Sequence, residues 1–256
     1  MASLTAPAQA REALPEPARQ WLASCRVKVF ADGPELADIP KLLRQPHIKG
    51  ITTNPTLLRK AGVANYEAFG RGLLESVRDI PVSFEVIADE PREMERQARK
   101  IAGWGPNVYV KIPGTNTRGE STHELVRRLA GAGVQINVTA LLTLAQIEKM
   151  AEAVDDGVAA IISLFAGRVA DTGRDPVPVI RQAVSLLGAH PKAELLWASP
   201  RELLNVIQAD EAGCHIITLT ADLLAKLPLI GKDLAEYSRE TVAMFRGDAQ
   251  RAGYEL

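Results

Sequence analysis

The chain has 256 residues, of which 46% are hydrophobic and 24% charged, and this composition excludes a disordered, collagen-like or coiled-coil protein. Its 30 basic and 31 acidic residues nearly cancel, so no charge excess indicates nucleic acid or an anionic membrane as a partner. At roughly 150 residues per domain, the length fits one large domain or two small ones.

The first 26 residues predict an N-terminal extension without the apolar segment of a secretory signal. A short helix is expected within it, around Pro17 to Ser24. No later stretch approaches a membrane span. The two cysteines, Cys25 and Cys214, are too few and too far apart for a disulfide framework or a cysteine-rich zinc site. We therefore expect a cytoplasmic protein that does not act at a membrane.

Beyond the extension, eight short β-branched runs alternate with segments of helical periodicity such as Pro91 to Gly103 and Leu144 to Val154. A last helix is expected over Lys232 to Gln250. Strict strand-helix alternation predicts parallel strands joined by right-handed crossovers. Eight such units predict an α/β fold of one domain, a single (β/α)8 TIM barrel over 27–256. The predicted strands are Val27 to Asp32, Ile48 to Asn54, Val82 to Val86, Val108 to Pro113, Val134 to Thr139, Val158 to Phe165, Glu194 to Ser199 and Cys214 to Thr220.

Helix-start signals support these boundaries. Asn54 and Asp175 each stand before a proline, which predicts a capping side chain followed by an N1 proline. Ser121 and Glu124 have the spacing of a capping box.

Residue parity along the fourth strand gives the first indication of chemistry. Val108, Val110 and Ile112 share one face of the strand, which turns Lys111 to the other, inward face. On the first strand, Phe30 interrupts the same alternation. Polar residues at six further strand-end positions can be aimed into the same barrel mouth, where active sites of this fold lie. They are Asp32, Glu85, Asn137, Thr139, Ser163 and Ser199.

Two interpretations of these polar strand ends are open. Any single residue can simply meet solvent or cap a helix. Taken together, an inward lysine, aspartate and glutamate in a confined space indicate a functional site. Apolar walls around Lys111 would disfavour its ammonium form and give a nucleophilic amine, which suggests a Schiff base with a carbonyl substrate.

Five segments of the sequence, taken in order, resemble the transaldolase family, including its fructose-6-phosphate aldolase branch. The resemblance extends from Val27 to the last helix. The runs are Ala31-Asp32-Gly33, Gly50 to Thr56 (GITTNPT), Val110 to Pro113 (VKIP), Asn137-Val138-Thr139 and Ser163 to Arg168 (SLFAGR).

The resemblance implies a class I mechanism at four positions. Lys111 would form the imine with a ketose donor. Asp32 would take the proton of the donor's C4 hydroxyl as the C3–C4 bond breaks, and return it during addition to the acceptor aldehyde. Glu85 and Thr139 would hold the water that moves protons as the carbinolamine forms and dehydrates. No metal and no organic cofactor is implied.

The resemblance also implies two sets of substrate-binding residues. One set orients the bound three-carbon unit, and consists of Asn54, Asn137 and Ser163. The other set lies where the family binds the phosphate of its sugars, and consists of Arg168, Ser199 and Arg201. Phe165 is a further substrate-binding position. Leu164 stands where many members have proline, and Pro200 where an aromatic is common, so the anion can be a phosphate or another group such as a sulfonate.

Three functions, two of them enzymatic, are compatible with this set of residues. A transaldolase passes dihydroxyacetone from a ketose phosphate, such as fructose 6-phosphate or sedoheptulose 7-phosphate, to an aldose phosphate, as in the pentose phosphate pathway. An aldolase of the related branch releases free dihydroxyacetone, and typically carries glutamine and tyrosine where this chain has Glu85 and Phe165. Glu85 and Phe165 therefore favour the transaldolase over the aldolase. A non-catalytic sugar-phosphate-binding barrel is the third alternative.

The resemblance also implies that the protein forms a homo-oligomer.

Overall fold

The computed structural model describes residues 14–154 and 157–255, and places eight parallel strands in a closed barrel. Each strand pairs with its neighbours in the sequence, and β1 pairs with β8 to close the sheet. The predicted (β/α)8 barrel is confirmed, with strand ends shifted by up to two residues. The strands are β1 (Lys28–Asp32), β2 (Ile48–Thr52), β3 (Val82–Glu85), β4 (Val108–Pro113), β5 (Ile136–Leu141), β6 (Ala160–Leu164), β7 (Ala193–Trp197) and β8 (Ile216–Leu219).

Helices occupy the crossovers, as the periodicity predicts. On α5, Met94, Ala98 and Ile101 form the buried face, because residues three and four apart share one side of a helix. The helices are α1 (Glu16–Ser24), α2 (Ile39–Leu42), α3 (Pro55–Lys60), α4 (Tyr66–Ser76), α5 (Pro91–Ala102), α6 (His123–Gly131), α7 (Leu144–Ala151), α8 (Ala166–Ala170), α9 (Val177–Leu187), α10 (Leu204–Glu211), α11 (Ala221–Leu224) and α12 (Leu234–Ala252). Short 3-10 turns span Leu36–Asp38 and Leu227–Leu229.

The chain forms two compact units. One is the barrel, residues 25–224, and the described part of the other comprises 14–24 and 225–255, with α1 and α12. The domain limits of 1–26 and 27–256 stay a prediction. In the part of the chain that the structure describes, no helix combines the length and apolar character needed to cross a bilayer.

The barrel interior is filled below the mouth by an apolar layer. Phe30 belongs to a buried cluster with Ile161, Leu196 and Ile216, against which Tyr109 packs. Phe30 therefore does not interrupt the alternation of β1, because it points inward on the same face as Asp32, two residues later.

Gly50 on β2 makes room for this ring. A Cβ at Gly50 would lie 2.4 Å from the Phe30 ring, so only glycine fits beside it. The packed layer gives the polar residues above it a closed, rigid floor.

Asn54 caps its helix as predicted, whereas Asp175 has a side-chain bond to the helix start but Pro176 stands at the N-cap rather than at N1. Asn54 Oδ1 accepts the Leu57 N–H at 2.9 Å at the start of α3. Asp175 Oδ1 accepts the Val177 N–H at 2.9 Å, with α9 beginning at Val177. The capping box at Ser121 is wrong: α6 begins at His123, and Ser121 Oγ accepts the His123 N–H at 3.3 Å rather than the Glu124 N–H. Ser121 also pairs as a β-bridge with Thr115.

Candidate active site

Lys111 lies on the inner face of β4, as parity predicts, and is only 6% exposed. Its Nζ donates a hydrogen bond to the Thr53 carbonyl at 2.8 Å and stands 3.3 Å from Glu85 Oε2. Glu85 is the register partner of Lys111 on β3. The amine is therefore enclosed by two acceptors rather than by apolar walls, and Glu85 is close enough to exchange a proton with it.

Asp32, at the end of β1, is held by two neighbours in the mouth. Its Oδ1 accepts a hydrogen bond from the Thr52 hydroxyl at 2.7 Å, and its Oδ2 lies 3.4 Å from Asn54 Nδ2. Burial raises the pKa of Asp32, against the opposite effects of the Lys111 charge and the bonds from Thr52 and Asn54. The structure thus brings Asp32 and Asn54 together beside the lysine.

A second hydrogen-bonded chain crosses the interior from β3 to β6. Asn137 Nδ2 donates to Ser83 Oγ at 3.0 Å, and Ser163 Oγ donates to Asn137 Oδ1 at 2.7 Å. All three side chains are buried. The predicted residues Asn137 and Ser163 are therefore adjacent, and their orientation is fixed by each other.

Thr139 also turns into the mouth, from the point where β5 distorts. The pairing of β5 with β6 shifts register between Val138 and Leu141, and Ala140 takes a positive φ of 60°. Such a bulge re-aims a neighbouring side chain. Thr139 is buried, and within the described residues its Oγ1 makes no hydrogen bond, so it is available to a substrate oxygen.

The remaining predicted residues meet at the ends of β6 and β7. The Arg168 guanidinium lies over the Phe165 ring, 5.5 Å from its centre. Arg201 instead pairs with Asp171 through both oxygens of the carboxylate, with Nε to Oδ1 at 2.8 Å. This pairing holds the pKa of Asp171 below its usual range. Among the described residues Arg168 forms no ion pair, so it is the guanidinium more open to an anion.

Close backbone packing joins these two strand ends. Ser199 has a φ of 57°, unusual for a residue with a side chain, and a Cβ built on Gly167 would overlap its carbonyl oxygen. Gly167 donates its N–H to the Ala198 carbonyl at 3.3 Å. The glycine of the SLFAGR run is therefore required by this contact, which sets the spacing between the loops that carry Arg168 and Arg201.

Sequence reasoning missed several residues of the site. Thr53 and Ser83 could have been found, the first from its place in the TTNP run and the second from its parity with Glu85. Asp171 follows Arg168 by three residues, but its pairing with Arg201 depends on the tertiary structure. Tyr66, which bonds the Glu85 amide, has no strand position and gave no signal.

Two cavities differ in their relation to this site. One of about 360 Å³ opens beside Glu85, between the loops that follow β3 and β4. Arg118, on the second of these loops, pairs with Glu90 at 2.6 Å and with Glu120 at 2.9 Å, so the loop is anchored. The other, of about 500 Å³, lies by Trp104 before the start of β4 and contains none of the predicted residues.

The described residues contain no group of three or more histidine, cysteine, aspartate or glutamate side chains placed to hold a metal ion. The polar centre of the barrel is built around an amine, carboxylates, amides and hydroxyls.

The site thus combines a closed (β/α)8 barrel with a buried lysine that faces a carboxylate at the barrel mouth. The family model for transaldolase and fructose-6-phosphate aldolase matches residues 29–256, and the chain belongs to this family.

Curated relatives agree with this assignment. The chain is 33% identical over 215 residues to a probable transaldolase of Dehalococcoides mccartyi, covering 82% of this chain and 96% of that protein. It is 35% identical over 218 residues to probable transaldolase 2 of Listeria monocytogenes, covering 84% and 95%. Membership of this family makes the protein an enzyme of the transaldolase/aldolase type.

Solved structures show the fold alone. A 2,3-dimethylmalate lyase superposes with a TM-score of 0.53 at 14% identity, covering 93% of this chain and 89% of that chain. A structure described as native KDPGal superposes with a TM-score of 0.51 at 14% identity, covering 84% and 95%. At this identity the likeness is architectural.

Proposed function

We propose that the protein is a transaldolase that moves a dihydroxyacetone unit from a ketose phosphate to an aldose phosphate through an imine on Lys111. The observation that carries the proposal is the Lys111 amine, buried at the barrel mouth between the Thr53 carbonyl and the Glu85 carboxylate. An enclosed amine with a proton acceptor 3.3 Å away is equipped to attack a ketone.

Imine formation requires two proton movements. The amine loses a proton to Glu85, directly or through a water, and attacks the C2 carbonyl of the donor to give a carbinolamine. The carbinolamine hydroxyl then takes a proton and leaves as water. The buried Thr139 hydroxyl can hydrogen-bond this water, with Glu85 as its second partner, so the pair serves as the proton shuttle.

Carbon–carbon cleavage follows from the protonated imine. Asp32 takes the proton of the C4 hydroxyl, the C3–C4 electron pair moves into the imine as an enamine, and an aldose phosphate leaves. The reverse sequence on a different aldehyde completes the transfer. Asn54, Asn137 and Ser163 orient the bound unit, because each presents a hydrogen-bonding group whose direction is already fixed.

The anionic end of the sugar is assigned to Arg168, Arg201 and Ser199, with Phe165 supporting Arg168. Since Asp171 already pairs with Arg201, the arrangement carries one net positive charge. A guanidinium suits a phosphate or a sulfonate, and the phosphate of a ketose donor is the proposed ligand.

The imine itself supplies the electron sink, so the mechanism needs no metal or organic cofactor. We place the enzyme in the cytoplasm, with sugar phosphates as its partners and no nucleic acid or membrane.

Transfer is favoured over simple aldol cleavage by Phe165. Its ring packs against the barrel core and offers no hydroxyl that could protonate the enamine or organise a water beside it. We expect fructose 6-phosphate to be consumed rapidly only when an acceptor such as erythrose 4-phosphate is present, with free dihydroxyacetone released much more slowly. The measurement is the rate of both products with and without acceptor.

Dihydroxyacetone release as fast as transfer would instead identify an aldolase. Thermal stabilisation by several ketose phosphates without turnover of any donor and acceptor pair would identify a non-catalytic binding barrel.

A homo-oligomer is also proposed, and α12 is its proposed contact. None of its residues is buried, and one side of the helix carries a row of apolar side chains. They are Leu234, Tyr237, Val242, Met244 and Phe245.

Phe245→Glu, at the centre of this row, should therefore lower the molar mass measured by light scattering after size exclusion, with helix content unchanged. Gln250→Glu adds the same charge on the opposite side of α12 and should leave the mass as in the wild type. A monomeric wild type, or an unchanged mass for Phe245→Glu, would contradict the proposal.

A further inference from the structure

The hydroxyl of Tyr66 lies behind the lysine site, on a side chain that comes from a helix rather than from a strand. Tyr66 is the first residue of α4, whose start is capped by Asn65 Oδ1 accepting the Ala68 N–H at 2.9 Å. Its ring meets Phe84 and Trp104 edge to face, with ring centres 6.3 and 6.0 Å away. Packing on two aromatic rings fixes the direction of the hydroxyl.

This hydroxyl accepts the backbone N–H of Glu85 at 2.7 Å. It also lies beside the Thr53 side chain, whose own hydroxyl donates to the Ser83 carbonyl at 2.9 Å. Burial raises the pKa of Tyr66 to about 12, against the effects of its hydrogen bonds with the Thr53 side chain and the Glu85 amide, so the phenol stays neutral at physiological pH. Tyr66 thus touches both residues that flank the Lys111 amine.

The hydrogen bonds between β2 and β3 show what this contact replaces. Thr53 donates its N–H to the Ser83 carbonyl at 3.0 Å, in the pattern of a parallel ladder. In a regular ladder the next bond would run from the Glu85 N–H to the Thr53 carbonyl. Instead the Glu85 N–H bonds Tyr66, and the Thr53 carbonyl accepts Lys111 Nζ at 2.8 Å.

We infer that Tyr66 is a positioning residue for imine formation: its hydroxyl takes the Glu85 N–H that the ladder would give to Thr53, and leaves the Thr53 carbonyl to Lys111. The inference rests on the proposed function, because the amine must be held toward its substrate for this to matter. Without the hydroxyl, the partly buried Glu85 N–H would turn to the Thr53 carbonyl and compete with the lysine. Turning the Glu85 N–H would also shift the Glu85 carboxylate relative to the Lys111 amine.

Tyr66→Phe removes only the hydroxyl and keeps the ring in its aromatic contacts. The expected result is a fall of about 10- to 100-fold in the rate of borohydride-trapped adduct formation on Lys111, because small misplacements of a reacting group are costly. The KM for fructose 6-phosphate should change little, since Tyr66 does not adjoin the residues assigned to the phosphate. The rates are measured by quenched flow and intact-protein mass.

Two variants control for general effects on the barrel. Tyr109→Phe removes the hydroxyl of another partly buried tyrosine, two residues before Lys111, and should keep the wild-type trapping rate. Trp104→Phe weakens the packing on Tyr66 but keeps its hydroxyl, and should lower the melting temperature with little effect on trapping. A merely structural Tyr66 would instead make the trapping rates follow the melting temperatures.

The outcomes separate this inference from the proposed function. If the wild type forms no adduct, the proposed function fails. If the wild type is trapped and Tyr66→Phe reacts at the same rate, only the positioning role fails. A Tyr66→Phe chain that does not fold would also contradict the inference, because one lost hydrogen bond on a retained ring should not unfold a barrel of this size.

Discussion

Lys111→Met is expected to abolish transfer, with kcat reduced by about 10⁴-fold or more, because the covalent step then has no nucleophile. Methionine has a similar length, so it fits the same channel between β4 and Thr53. The variant leaves Glu85 without its cationic neighbour, but Glu85 keeps contact with solvent, its side chain being 21% exposed. We therefore expect a folded barrel, checked by circular dichroism and thermal unfolding alongside a transfer assay.

Lys100→Met is the matched control. This lysine lies on the outer surface of α5, where it pairs with Glu67, and it is half exposed. It should keep the wild-type kcat. Transfer by a folded Lys111→Met protein at a rate near that of the wild type would show that the reaction does not pass through this amine.

Asp32→Asn is expected to have the second-largest effect, lowering kcat by about 10²- to 10⁴-fold, the usual contribution of a general base. Asparagine keeps an oxygen that can accept from Thr52, so the local geometry is preserved. Because Asp32 acts after the imine has formed, the variant should still give a trapped adduct on Lys111. Loss of both trapping and turnover would contradict the assigned role.

The pH dependence follows from the burial of Asp32, which raises its pKa above the ordinary 3.8. Cleavage needs the carboxylate, so the wild-type kcat should rise with pH through this raised value, and Asp32→Asn should lose that limb. Between 3.8 and the raised pKa the folded state binds more protons than the unfolded state, so this group costs stability as pH rises.

The effect of Asp32→Asn on the free energy of unfolding should follow from the same raised pKa. Asp32→Asn should be at least as stable as the wild type near neutral pH, with the difference shrinking in acid. The exposed Asp79→Asn should show the wild-type kcat and pH profile. A wild-type profile without an acidic limb above 3.8 would contradict the buried carboxylate as the base.

The barrel could be predicted because each strand is a short β-branched run and each crossover has helical periodicity. Parity then placed Lys111, Glu85 and Asn137 on the inner face, since side chains of a strand alternate strictly. The inward position of Phe30 could not be predicted, because its ring fits inside the barrel only where Gly50 on the neighbouring strand leaves space for it.

Features that depend on pairing between distant segments could not be predicted. Tyr66 reaches the site from α4 across 19 residues, and the Arg201–Asp171 pair joins the loops after β6 and β7. The failed capping box at Ser121 has the same origin, because Ser121 is held in an isolated antiparallel bridge to Thr115. Local spacing carries no information on such contacts.

The imine on Lys111 is tested most directly by reduction with borohydride during turnover of fructose 6-phosphate, followed by peptide mapping. We expect a single covalent adduct, with the mass of a reduced three-carbon unit or of the reduced sugar, located on Lys111. An active enzyme that gives no adduct, or an adduct on another lysine, would contradict the imine at Lys111 and with it the proposed mechanism.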